Sequence, residues 1–168
     1  KLLDNRTLQA ADLQALSDFQ NEIEELSRQV AGTQKQIGEI SNKLKYINKA
    51  IVEYPNAKLD WLQRVKDMET ALYDINVAFN GDEIRQANQF ETYPGINYRL
   101  GVAAYSTWNS FAEPTKTAKM NLQIAKEDYE TEIVQIQLIL KNLDILEKEF
   151  NDADMPYTPG RGNNWKKN

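Results

Sequence analysis

An unbroken apolar seam runs through the first third of this chain and constrains its fold more than any other feature. Its twelve positions advance by alternating steps of three and four residues, and only Thr33 among them is not strongly apolar. A mean step of ~3.5 residues is typical of a long α-helix that packs against partner helices. About 40 such residues extend roughly 60 Å, too long for the core of a compact enzyme. The positions are Leu16, Phe19, Ile23, Leu26, Val30, Thr33, Ile37, Ile40, Leu44, Ile47, Ile51 and Tyr54.

This first helix is predicted to begin at a cap at Thr7 or near Asp12 and to end at Pro55. Gly32 and Gly38 lie inside it. They indicate either a close approach by a neighbouring helix, which we favour, or a real break, because glycine costs a helix interior roughly 1 kcal/mol relative to alanine.

Further apolar stripes predict three more helices. The second follows the Pro55-Asn56 turn and stops at Gly81, which suits a left-handed position after a helix end. The segment from Asp82 to Tyr93 is predicted to be a crossing loop with one helical turn around Glu83–Ala87. The third helix runs from about Ile96 to Phe111, and the fourth has Pro114 in its first turn. The stripe of the second helix is Trp61, Val65, Met68, Leu72, Ile75 and Phe79. The stripe of the third is Ile96, Leu100, Ala103 and Thr107. The stripe of the fourth is Leu122, Ala125, Tyr129, Ile133, Ile136, Leu140, Leu143, Glu147 and Phe150.

Short links favour antiparallel neighbours, so the predicted fold is all-α, an up-down-up-down four-helix bundle. The second and third helices are short and are expected to cover only the Ile37–Tyr54 end of the first. Its Leu13–Val30 half is then expected to pair with Ile136–Phe150 as an antiparallel coiled-coil extension. The predicted organisation is a segment leading in from an upstream domain (1–6), the helical bundle (7–155) and an irregular C-terminal tail (156–168).

Composition excludes several classes of function. The 168 residues carry a net charge of −5, which argues against a nucleic-acid surface. Cysteine and histidine are both absent, so thiolate and imidazole catalysis and the common zinc sites are excluded. No apolar run is long enough for a transmembrane helix. We therefore expect no enzymatic activity and no cofactor, and we predict no catalytic, cofactor-binding or metal-binding residue.

Two clusters of side chains resemble binding sites but are interpreted as structural. The carboxylates Glu127, Asp128, Glu130 and Glu132 are predicted to be a solvated helix face, since no histidine completes a di-iron motif. Five aromatic residues are of the type that forms a sugar-stacking platform, but their helical spacing favours the core. They are Trp61, Tyr73, Tyr98, Tyr105 and Trp108.

Three short motifs resemble one family. The segment Lys1–Arg6 is similar to a strand end followed by an Asp-Pro-Arg signature, with Asn5 standing in place of proline. Tyr93–Leu100 resembles the family's Tyr-Pro…Asn-x-Arg-Leu helix start, and Glu113–Thr115 its Pro-Thr link into the last helix. This family comprises secreted bacterial sortilin-like (VPS10-type) BNR-repeat proteins, which are glycosyl hydrolase-like. The resemblance implies a C-terminal helical accessory module behind a β-propeller, in an extracellular or periplasmic location, with any parent activity outside this chain.

The expected function is that of a scaffold or docking element for upstream domains of the same polypeptide. The second half of the last helix is apolar on more than one side, and the tail holds further aromatic residues. The expected docking residues are Asp4, Arg6, Leu138, Ile145 and Trp165. Two alternatives stay open: the extra apolar residues pack on the first helix, or the chain is a free-standing coiled-coil adaptor that binds a partner helix or forms a homo-oligomer through an exposed seam.

Overall fold

The described part of the chain consists of five α-helices and contains no strand. The computed structural model describes residues 10–108 and 113–161, with side chains from Leu13 onward. The all-α class predicted from the apolar spacing is confirmed. The helices are α1 (Ala10–Glu53), α2 (Leu59–Asn80), α3 (Glu83–Ala87), α4 (Ile96–Trp108) and α5 (Lys116–Asp152).

The predicted seam is the buried side of α1. Its positions from Leu16 to Ile51 are all buried, and Tyr54, just beyond the helix end, is half-buried. The one polar member, Thr33, has its hydroxyl oxygen 2.9 Å from the phenol oxygen of Tyr129. That hydrogen bond satisfies a polar atom that would otherwise be costly to bury.

Gly32 and Gly38 lie on the exposed side of α1, which continues through both without a break. A Cβ atom added at either glycine would meet nothing within 4 Å. The interpretation that a neighbouring helix comes close at these positions is therefore wrong, as is the alternative of a break. Burial of the seam on the opposite side outweighs their low helix propensity.

The link between α2 and α4 depends on two glycines. Gly81 has a φ of +86° at the end of α2, as predicted for a left-handed residue. A Cβ on Gly95 would lie 2.7 Å from the Gly81 nitrogen and 2.8 Å from the Phe79 oxygen. Only glycine allows this close approach, so α4 begins directly against the end of α2.

The described helices divide into two compact units. One unit combines the first part of α1, up to Thr33, with the end of α2, α3, α4 and the first part of α5, up to Thr131. Polar contacts accompany its apolar core: Lys126 Nζ lies 2.7 Å from the Glu22 carboxylate, and the Arg99 guanidinium donates to Asn121. We call this the first unit.

The second unit combines residues 34–76 with residues from 132 onward. Within it, α2 runs antiparallel to α5, because Trp61 contacts Phe150 near the start of α2 and Met68 lies across a groove from Ile139. Its core contains several of the largest fully buried side chains, from the α2 residues before position 77 and from the second part of α5. Trp61, Phe150, Ile136, Leu143 and Leu146 are among them.

The direction of α5 differs from the prediction. In the second unit Lys43 pairs with Glu147 at 2.6 Å, and just past the ends of both helices the Tyr54 hydroxyl donates to the Ala153 carbonyl at 2.7 Å. The contacts advance in the same direction, so these parts of α1 and α5 are parallel. The predicted antiparallel coiled-coil pairing is therefore wrong.

The predicted four-helix end is also wrong, because α4 belongs to the unit that contains α1 residues up to Thr33, not Ile37–Tyr54. The prediction assumed that the chain reverses its direction at every link between helices. The 81–95 link is long, contains α3, and starts α4 against the end of α2. The helix α5 begins at Lys116 with Thr115 accepting from the Ala118 amide, so Pro114 precedes the cap rather than lying in the first turn.

Candidate interaction surface

Three apolar side chains form an exposed stripe along α5. Val134, Leu138 and Ile145 are 60%, 52% and 42% exposed. Leu138 and Ile145 are seven residues apart and Val134 is four residues before Leu138, so all three share one face of the helix. Both predicted docking residues of this helix thus belong to the stripe, and neither packs into the core. An aligned apolar stripe of this kind is typical of a helix that meets a partner.

A groove of about 270 Å³ lies beside the stripe, between α2 and α5 of the second unit. Buried Met68 and Ile139 lie at its floor, and the small side chain of Ala71 leaves room on the α2 side. Leu138 belongs both to the stripe and to the groove wall. The remaining lining residues are polar or charged: Arg64, Asp67, Gln135 and Asn142. The groove and stripe together form what we call the α2–α5 surface.

Glu149 fastens α5 to α2 within the same unit. One carboxylate oxygen accepts from the Trp61 indole nitrogen at 2.8 Å, and the other accepts from Arg64 Nη1 at 2.7 Å. The hydrogen bond from Arg64 lowers the pKa of Glu149, and the bond from Trp61 lowers it further. Arg64 is therefore held in place where it borders the groove.

The Glu149 contacts predict a pH dependence of stability. Because the pKa of Glu149 is lowered in the folded chain, the stabilisation is present above the unfolded pKa and is lost as pH falls through the folded pKa. Glu149→Gln should therefore flatten the acid side of the unfolding free energy profile, measured by urea denaturation at a series of pH values. Glu130→Gln, at an exposed position of the same helix, is the matched control. An acid limb that is equally steep in Glu149→Gln and the wild type would contradict this prediction.

The tail after α5 returns over the helix end and is ordered by Arg161, which is buried. Its guanidinium donates to the Asn151 side-chain oxygen and to the carbonyls of Met155 and Pro156, the latter two at 3.1 Å. It also lies near the Phe150 and Tyr157 rings. The sequence analysis did not identify this role of Arg161, because a single arginine outside a periodic segment gives no signal.

A second groove, of about 500 Å³, lies between α1, α5 and the tail in the same unit. Its walls contain apolar residues such as Ile40 and Leu140 together with Lys43, whose ammonium group forms an ion pair with Glu147. Neither Leu138 nor Ile145 lines it. The remaining predicted docking residues, Asp4, Arg6 and Trp165, lie outside the described residues.

The prediction that five aromatic residues belong to the core is correct for Trp61 alone. Tyr73, Tyr98, Tyr105 and Trp108 are all exposed. On α4 the buried stripe is Ile96, Leu100, Ala103 and Thr107, as predicted, and the aromatic residues project from other sides. The small residues of α4 therefore do not bring neighbours onto every side of the helix.

The carboxylates on the first part of α5 do not converge on a metal site. Asp128 lies 3.8 Å from Arg99, while Glu127 accepts from Gln123 and is exposed. Among the described residues no group of three or more acidic side chains has the geometry to hold a metal ion. Of the four carboxylates in the predicted solvated face, Glu127 and Glu130 are exposed, whereas Asp128 and Glu132 are partly buried.

No helix within residues 10–108 and 113–161 combines the length and apolar content needed to span a bilayer. No protein-family model, curated protein or solved structure matches the chain. The resemblance to BNR-repeat proteins therefore stays a prediction, and the functional argument depends on the α2–α5 surface.

Proposed function

We propose that this chain is a non-catalytic helical module that docks another polypeptide segment on the α2–α5 surface. The observation that carries the proposal is the alignment of Val134, Leu138 and Ile145 on one exposed face of α5, directly beside a groove. Helical partners are recognised by apolar anchors with this spacing. Burying each anchor against a partner would contribute a favourable free energy of roughly 25 cal/mol per Å² of apolar area removed from water.

The chemistry of the available side chains supports a docking role over catalysis. A sequence without cysteine or histidine has no thiolate or imidazole for nucleophilic or general-base work. Glu149, whose pKa is lowered, is already engaged by Trp61 and Arg64. A carboxylate held ionised in this way positions α5 against α2 and is poorly suited to donate a proton.

The wider setting is proposed from the motif resemblance alone. It places the module in a larger secreted BNR-repeat protein, where the docked segment would come from an upstream domain. A free-standing adaptor that binds a partner helix uses the same surface. Sequencing the reading frame upstream of Lys1 separates the two settings, because only the first requires a propeller there.

Replacing two apolar residues of the stripe by serine should weaken docking strongly without unfolding the chain. The probe is a synthetic four-heptad peptide with a leucine seam and glutamine on both edges, followed by fluorescence anisotropy. Leu138→Ser with Ile145→Ser should weaken its binding at least roughly tenfold, equivalent to about 1.4 kcal/mol. Both side chains are more than two-fifths exposed, so the unfolding free energy should change by less than about 1 kcal/mol.

The matched control is Val52→Ser with Leu59→Ser, two apolar residues of the same unit that are more than half exposed and lie away from the groove. This control should bind the peptide like the wild type. Equal weakening in both double variants, or no weakening in the first, would overturn the proposed docking function.

A further inference from the structure

Two rows of charge flank the α2–α5 surface. On α2 the row consists of Asp60, Asp67 and Asp74, each seven residues from the next. On α5 the row consists of Lys141 and Lys148, also seven residues apart. All five side chains are exposed. Seven-residue spacing keeps each row on one side of its helix, so the rows border the surface along its length.

The position of each row follows from its neighbours. Asp67 lines the groove, and Asp60 and Asp74 lie one heptad to either side of it on the same face of α2. Lys141 lies three residues after Leu138, as Lys148 does after Ile145. Gln135 and Asn142 line the groove from α5, so helical geometry puts the lysines on the opposite side of the apolar stripe, away from α2.

The charges of these rows are only partly satisfied inside the second unit. Asp67 accepts a hydrogen bond from Gln63, and Asp60 lies 3.7 Å from Arg64. Arg64 itself is closer to Glu149, at 2.7 Å. Lys141 and Lys148 make no ion pair with any residue that the structure describes. A partner of complementary charge therefore gains interactions that the chain alone does not supply.

We propose that the α2–α5 surface receives an amphipathic α-helix from a polypeptide segment outside this chain, with basic residues along its α2 edge and acidic residues along its α5 edge. The inference rests on the proposed docking function and adds the chemistry of the partner. The apolar seam of that helix meets Leu138 and Ile145, while its edges face the aspartate and lysine rows. Edge charges of this kind set partner choice and orientation in helical assemblies.

A second copy of this chain is a poorer occupant. The seams of α1 and α2 are already buried, so neither helix has a free apolar face to offer. The exposed face of α4 carries aromatic residues, but the helix contains no acidic residue to meet the lysine row. The α5 stripe of a second copy is bordered by its own lysines, and its aspartate row lies on α2, across the groove from that stripe, so no single helix of the copy carries both charged edges.

The opposite signs of the two rows also fix the direction of the bound helix. Turning the helix end for end in the groove exchanges its two edges, which then place like charges against each row. A helix with one basic and one acidic edge therefore binds in one direction, whereas a helix whose two edges carry the same charge always faces one repulsive row.

The test compares peptides that share one leucine seam and differ only at the edges. One has lysine on one edge and glutamate on the other, and the others have lysine, glutamate or glutamine on both edges. We expect the mixed-edge peptide to bind the wild-type chain at least tenfold more tightly than the glutamine-edged peptide. That advantage should shrink as salt is raised, because exposed charges are screened.

Lys141→Glu with Lys148→Glu makes both rows acidic and should transfer the preference to the peptide with two lysine edges. The matched control, Lys35→Glu with Lys45→Glu, changes the net charge equally at exposed positions of α1 and should keep the wild-type preference.

Equal binding of mixed-edge and glutamine-edged peptides would overturn the inference, and the docking function would still stand if binding depended on Leu138 and Ile145. A dimer in sedimentation that is lost in Leu138→Ser with Ile145→Ser would also overturn it by naming a second copy as occupant. If no peptide binds, both proposals fail.

Discussion

Trp61→Ala is expected to reduce the unfolding free energy by about 3–5 kcal/mol, the range for removing a buried aromatic side chain. Trp61 is fully buried, and its ring meets that of Phe150 edge to face with centroids 5.0 Å apart. The substitution opens a cavity in the second unit and also removes the indole donor from Glu149. Urea denaturation followed by circular dichroism at 222 nm measures the effect without relying on tryptophan fluorescence.

Trp108→Ala is the matched control, because the same atoms are removed from a side chain that is 82% exposed. It should change the unfolding free energy by no more than about 0.5 kcal/mol. Trp61→Phe should give an intermediate loss, since it keeps an aromatic ring and removes the donor to Glu149. Equal effects of Trp61→Ala and Trp108→Ala would mean that the core of the second unit is placed wrongly.

The apolar spacing predicted α1, α2 and α4 well, because the stripe predicted for each of them is buried. In α5, Ile139 and Leu146, which lie outside the predicted seam, are buried, whereas the seam positions Leu140 and Glu147 are only partly buried. The α1 seam from Leu16 to Ile51 is buried as predicted, and α2 ends before Gly81 as its glycine indicated. Even the single turn at Glu83–Ala87 is present as α3. These features depend on residues that are near one another in the sequence, where periodicity and cap chemistry act directly.

Helix direction and pairing were not predictable in the same way. A stripe shows that a helix packs, but it does not specify which segment packs against it. The parallel contacts of Lys43 with Glu147 and of Tyr54 with Ala153 join residues about 100 positions apart. The close backbone approach at Gly95, where α4 begins, likewise leaves no periodic signal.

The candidate surface was only partly visible in the sequence. Leu138 and Ile145 stood out because they fall outside the predicted seam of their own helix. The groove beside them was missed, since it needs Met68 and Ala71 of α2 to lie across from α5. The aromatic residues of α4 were predicted to be buried and are exposed, because helical spacing alone does not reveal how many sides of a helix are covered.

Phe79→Ala is the second substitution with a large expected effect, again about 3–5 kcal/mol, but in the first unit. Phe79 is fully buried, and its ring lies edge to face with that of Tyr129 at a centroid distance of 6.1 Å. Tyr129 in turn shares a hydrogen bond with the buried Thr33 hydroxyl. The cavity therefore loosens an aromatic ring that satisfies a buried polar group of α1.

Hydrogen exchange locates this loss, because amide protection reports on local opening of each helix. Phe79→Ala should speed exchange most strongly in α4 and in residues 116–131, whereas Trp61→Ala should do so in residues 132–152. Phe90→Ala removes the same side chain from an exposed position and should leave exchange in both regions near wild type. If Phe79→Ala accelerated exchange only in residues 132–152, the assignment of Phe79 and α4 to one packed unit would be wrong. If its denaturation midpoint matched that of Phe90→Ala, the contact with Tyr129 would not contribute to stability.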